Sequence, residues 1–182
     1  MVLQVLPLLI VLAGGSGPGA EPRRARLSAA EEATRLLSDP QRRVRATDAR
    51  IAGLIEQGVR RSYSFADLVR SLHETDVIVY IEVTADLPRA VNGHLFLVSS
   101  RDNQRYLRIQ VRTGLHPDET IALLAHELRH ALEVGSDPTV TTAAEFALLY
   151  ARIGHNVSGL SRRYDTAAAQ EMGRVVRREL GG

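Results

Sequence analysis

The hydrophobic repeat of this chain changes period twice, and that constrains the fold more than any single residue. From Thr47, the apolar residues Ile51, Leu54, Ile55 and Val59 recur at the spacing of one helical face. Ser28-Ala-Ala-Glu31 has the form of a capping box, and a short helix follows it to Leu37, before Asp39-Pro40. Ser64-Phe-Ala-Asp67 opens another helical run to Leu72. The pattern then becomes β-branched and almost wholly apolar at Val77–Val83 (VIVYIEV), which predicts a buried strand. Leu95–Val98 is a second strand, reached through Asn92-Gly93. In Gln104–Arg112 (QRYLRIQVR), Leu107, Ile109 and Val111 alternate with Arg108, Gln110 and Arg112, the period of a half-buried strand.

The connections between these strands are short, so the expected sheet is three-stranded and mainly antiparallel. Helical spacing returns at Pro117, a favourable first-turn proline followed by Asp118 and Glu119, and runs to about Val134, before Gly135. Asp137-Pro138 is the expected start of the next helix, which extends to about Ile153, and a last one covers about Thr166 to Leu180. Helices, then strands, then helices make an α+β domain: N-terminal helices, the sheet, and three C-terminal helices. The expected division is 1–20 as a signal peptide or N-terminal anchor, 21–46 as a linker with a short helix, and 47–182 as a single domain. The first part rests on Met1–Ala13 (MVLQVLPLLIVLA), an uncharged apolar run followed by small residues, which predicts export to a periplasm or beyond.

Composition then narrows the chemistry. All 23 Lys+Arg residues are arginine, and cysteine is absent. Lysine chemistry (a Schiff base, a pyridoxal anchor, a P-loop) and thiol chemistry are thereby excluded. A metal must be held by His, Asp or Glu. The net charge is only +2, and the arginines are spread from Arg23 to Arg178 instead of forming a patch, so nucleic-acid binding is weakly supported.

The helix from Pro117 contains His126-Glu127-Leu128-Arg129-His130. Histidines at i and i+4 share a helical face and can share one metal ion. Glu127 lies about 100° further round the helix, near the ion without being forced to ligate it. Such a site makes hydroxide from a metal-bound water, with the glutamate as base.

On these residues the chain resembles the zincin metallopeptidases, and more narrowly gluzincin-like secreted bacterial proteins, over about Val77–Leu180. The resemblance implies Zn2+ held by His126 and His130, Glu127 as the general base, and hydrolysis of a peptide or protein substrate. It also implies that the strand Gln104–Arg112 is the sheet edge on which an extended peptide lies; on the polar face of that strand, Arg108 and Arg112 are the expected contacts for an acidic substrate. The third ligand stays open among three residues. Glu145 would lie level with the histidines if Gly135–Asp137 is a tight turn. Asp165 resembles an acidic ligand from a later helix, but equally suits that helix's N-cap. Glu133 shares the histidines' face, where an outer hydrogen bond to a ligand histidine suits it better than ligation. His155, Tyr150 and Tyr164 are weaker candidates to stabilise an oxyanion. Position 133 is not the glycine of the metzincin pattern, and the acidic second motif of thermolysin-like enzymes is absent. The competing readings are an exported module with a structural metal or none, and a nucleic-acid binder.

Overall fold

A computed structural model describes residues 28–156 and 164–181. The expected signal segment lies outside them. In chain order the elements are α1 (Ala29–Ser38), β1 (Val44–Ala46), α2 (Ala49–Arg61), α3 (Tyr63–His73), β2 (Val77–Thr84), β3 (Gly93–Arg101), β4 (Gln104–Arg112), α4 (Pro117–Gly135), α5 (Ala143–Ile153), β5 (His155–Asn156), β6 (Tyr164–Asp165) and α6 (Ala167–Glu179). The class is α+β, as the change of period predicts. No helix among the described residues is long and apolar enough to cross a membrane.

Local signals act as expected at several helix starts. Ser28 and Glu31 form the capping box of α1. Asp48 caps α2, accepting a backbone N–H three residues on, and Ser62 does the same for α3, which starts before the expected Ser64. The stretch 28–46 is more than a linker, however. Ala33 and Leu36 of α1 are buried in the core, and β1 pairs with β2 in parallel. A three-residue strand is too short to announce itself by alternation.

The sheet has four strands in the order β1-β2-β4-β3, and this corrects the expected three-stranded antiparallel arrangement. β4 runs parallel to β2 and antiparallel to β3. The cause lies in the two connections. Asp102 and Asn103 both take left-handed backbone angles (φ 55° and 56°), the two-residue turn that folds β3 directly onto β4. The longer stretch 85–92 then carries the chain past β4's place, leaving β3 outermost. β4 is therefore internal, not an edge. Its inward positions Arg105, Leu107, Ile109 and Val111 are buried against the helices, and Val79 and Ile81 of β2 lie beside Leu107 and Ile109.

α4 lies across that apolar face with Ile121, Leu124, Ala125, Leu128, Ala131 and Val134 fully buried. Its last turn carries no basic residue. The cation comes from β4 instead. Arg105, 2% exposed, donates to the carbonyls of Val134 (2.8 Å), Gly135 (3.3 Å), Asp137 (2.6 Å) and Val140 (3.3 Å), and pairs with Asp76 at 2.5 and 2.9 Å. That guanidinium satisfies orphan carbonyls at the helix end and complements its dipole. On its other side α4 packs against α6. Gly173 permits the close approach, since a Cβ there would stand 3.3 Å from the Ala122 carbonyl and 3.4 Å from the His126 Cβ.

Candidate metal centre

His126 and His130 leave α4 one turn apart on the side facing α6, with ring centroids 4.9 Å apart and planes at 82°. Asp165 reaches the same place from β6, a two-residue strand paired with β5 so that Asp165 lies opposite His155. His126 Nε2 and His130 Nε2 each lie 3.4 Å from Asp165 Oδ1. That distance is long for a hydrogen bond between an ionised pair. It fits donors around one ion: with metal–ligand lengths of 2.0–2.1 Å, neighbouring corners of a tetrahedron are about 3.3–3.4 Å apart. One atom from each of the three residues lies within 4.8 Å of the others, so the group could hold a metal ion.

The other two candidates for third ligand are placed differently. Glu133 accepts nothing from His126; its Oε2 lies 2.9 Å from His130 Nδ1, and its Oε1 accepts from Thr166 Oγ1 at 2.8 Å. It therefore orients the His130 ring from behind. Glu145 is not brought to the histidines. α5 begins at Ala143, not at Asp137-Pro138, and Glu145 is the third residue of its capping box. Its Oε2 accepts from Thr141 N, Thr141 Oγ1 and Thr142 N at 2.8–2.9 Å, bonds that hold its carboxyl below the usual range.

Asp165 is free to turn inward because Thr166 does the capping. Thr166 Oγ1 accepts the Ala169 N–H at 3.1 Å. Asp165 Oδ1 accepts from Thr166 N at 2.7 Å and Oδ2 from Gln170 Nε2 at 2.9 Å. Burial opposes its ionisation, but the attraction of His130, Gln170 and His126 prevails and holds the carboxyl well below the ordinary range. Burial pushes His126 down, helped by its neighbour His130. Burial acts the same way on His130, yet Asp165 and Glu133 outweigh it and carry that imidazole up to about 9. The two carboxylates demand a positive charge between them; a proton on His130 supplies one, and a divalent cation would supply more.

Glu127 is 6% exposed, and burial raises its carboxyl to about 7 against the pull of His130. β3 crosses directly over it. A Cβ at Gly93 would lie 2.5 Å from Glu127 Oε1, so only glycine leaves the carboxylate in this position. Tyr150 donates its hydroxyl to the His130 carbonyl at 2.8 Å, with its own ionisation pushed up by burial, so its phenol serves the backbone and not an oxyanion. His155 Nε2 lies 3.3 Å from Gln170 Nε2, at the rim. Tyr164 is half-buried in β6 next to Asp165.

The expected edge position of Gln104–Arg112 is corrected. β4 is paired on both sides, so no peptide can add to it. Arg112 donates to the carbonyls of Leu87 (2.8 Å), Pro88 (2.5 Å) and Val91 (2.9 and 3.1 Å), tying down the loop before β3. Arg108 lies over the Phe96 ring at 6.0 Å and 3.8 Å from Glu82. Sequence reasoning missed Gly93, Thr166 and Gln170. No family model matches the chain, and comparison with curated proteins and with solved structures finds no match.

Proposed function

We propose that this chain is a zinc-dependent hydrolase, a metallopeptidase whose metal is held by His126, His130 and Asp165. The observation that carries the proposal is the convergence of both Nε2 atoms on one Asp165 oxygen at 3.4 Å, with Glu127 on the same helix between them in sequence. Two imidazoles and a carboxylate suit zinc and leave a fourth position open. His126, His130 and Asp165 would hold the zinc, which would supply a water of lowered pKa and polarisation of a carbonyl.

The chain's own residues do the rest. Glu127, held under β3 with a carboxyl near neutrality, takes a proton from water and returns it to the leaving amine. Glu133 fixes the tilt and tautomer of His130 through Nδ1. Gln170 and the Thr166 N–H each hold one oxygen of Asp165, and the Thr166-bonded Oδ1 is also the one that faces both histidines. With β4 internal, β3 is the outer strand next to Glu127 and offers the main-chain edge for an extended peptide. Export is part of the proposal and rests on the apolar run at 1–13.

Glu127→Gln tests the mechanism. It is expected to abolish peptide hydrolysis while zinc stays bound; unchanged hydrolysis contradicts the assignment. A structural metal site is the second reading, favoured by the near-complete burial of Glu127. Wild-type protein that binds zinc but cleaves no peptide would establish it.

A further inference from the structure

A cleft of about 380 Å³ opens beside His126, between the exposed shoulders of α4 and α6. Glu119, Leu123 and His126 line it from α4, and Gln170, Arg174 and Arg177 from α6. Its floor is the close contact of Gly173 with Ala122. On α6 the lining residues follow the i, i+4, i+7 spacing, so the cleft runs along both helices away from the metal centre. Gln170, which bonds Asp165, marks its near end, and Arg177 its far end. From Gln170 to Arg174 and Arg177 the helix rises about 6 and 10 Å. An extended peptide covers that distance in two to three residues.

We infer that this cleft receives one side of a peptide substrate and that Arg174 and Arg177 bind a carboxylate on it two to three residues from the cleaved bond. The inference rests on the hydrolase reading above and adds a substrate class to it. Arg174 and Arg177 lie about one turn apart on α6, and both line the cleft. Their present partners are exposed ones: Arg174 Nη2 lies 3.1 Å from Glu171 Oε2 and its Nε donates to the Gln170 carbonyl at 3.4 Å, with the side chain 60% exposed, and Arg177 Nη2 lies 4.0 Å from Glu119 Oε1. Exposed pairs of this kind are worth little and open readily. A carboxylate entering the cleft exchanges them for charge-assisted bonds in a less hydrated place. The apolar body of the peptide lies on Leu123, Ala122 and Leu115. The carboxylate can belong to an Asp or Glu side chain or to the substrate's own C-terminus.

The test uses zinc-loaded full-length Glu127→Gln protein and matched octapeptides. One arm exchanges Asp or Glu for Asn or Gln at internal positions. The other exchanges a free C-terminus for an amide. Peptides carrying the carboxylate are expected to bind about fivefold more tightly than their uncharged counterparts. Arg174→Gln with Arg177→Gln removes that difference while uncharged peptides bind as before, and the arm that responds identifies the carboxylate. Equal binding of charged and uncharged peptides, a preference that survives the double substitution, or no peptide binding at all overturns the inference. Failure of the hydrolase reading looks different: carboxylate-selective binding to the variant, with no cleavage of the same peptides by wild-type protein. Wild-type cleavage with no carboxylate preference sinks the cleft and leaves the hydrolase.

Discussion

Helix α4 carries a polar cluster at its C-terminal end and another on the flank that faces α6, and the two differ in where their positive charge comes from. At the C-terminal end, Arg105 fills a buried site of carbonyls and the Asp76 carboxylate with bonds of 2.5–3.3 Å. That site is complete within the chain. On the flank, His126, His130 and Asp165 face one another at 3.4 Å, too far for strong ionic hydrogen bonds and at the spacing of ligands round an ion. The first cluster is satisfied by its own hydrogen bonds; the second has a donor set that could hold a metal ion.

That contrast can be broken experimentally, and the largest effect should come from the complete site. Arg105→Met strands Asp76 and the α4 carbonyls, and is expected to cost about 3 kcal/mol. Thermal melting should fall by roughly 6–12 °C for a chain of this size. The loss should be the same with zinc or with chelator; rescue by zinc would mean the two sites are not independent.

Asp165→Asn should behave in the opposite way. Metal-free protein is expected to lose about 1 kcal/mol or less, since the amide can keep the bond from Thr166. Wild-type protein should gain about 2.7 kcal/mol in zinc at 100 times the dissociation constant, and the variant little of it. Urea unfolding with and without zinc measures both. A variant that gains as much as wild type removes Asp165 from the ligand set.

Two smaller effects sharpen the picture. Glu133→Gln weakens the orientation of His130 and is expected to lower zinc affinity about tenfold, read by competition with a chelating dye. Gly93→Ala pushes on the Glu127 carboxylate, not on the ligands. Hydrolysis should fall about tenfold with zinc affinity unchanged, because a misplaced base costs rate and not binding. An unchanged rate would show that Glu127 is not the base.

What could be read in the sequence was local. The 3.6-residue period, Pro117 and the acidic first turn define α4 within a few residues of one another, so the histidine face follows directly. Alternation defines β4 as a strand, but says nothing about which strands flank it. That was decided by Asp102-Asn103 and by the length of 85–92, and pairing depends on both together. Glu145 was legible in principle. Thr142-Ala-Ala-Glu145 is a capping-box pattern, and it places the start of α5 at Ala143 and gives the glutamate a local task. Arg105 was legible too, since it shares the inward parity of Leu107; a charge at a core position signals a buried partner. Asp165 could not be separated from a cap by spacing alone. The decision between Asp165 and Thr166 as N-cap depends on what lies across from them on α4.

His126, His130 and Asp165 are proposed to hold one metal ion. Zinc titration of the purified chain, with X-ray absorption of the loaded protein, tests it most directly. The prediction is one equivalent per chain, bound through two imidazoles and a carboxylate oxygen, and lost in His130→Ala. Absence of stoichiometric binding, or a full equivalent retained by His130→Ala, would contradict it.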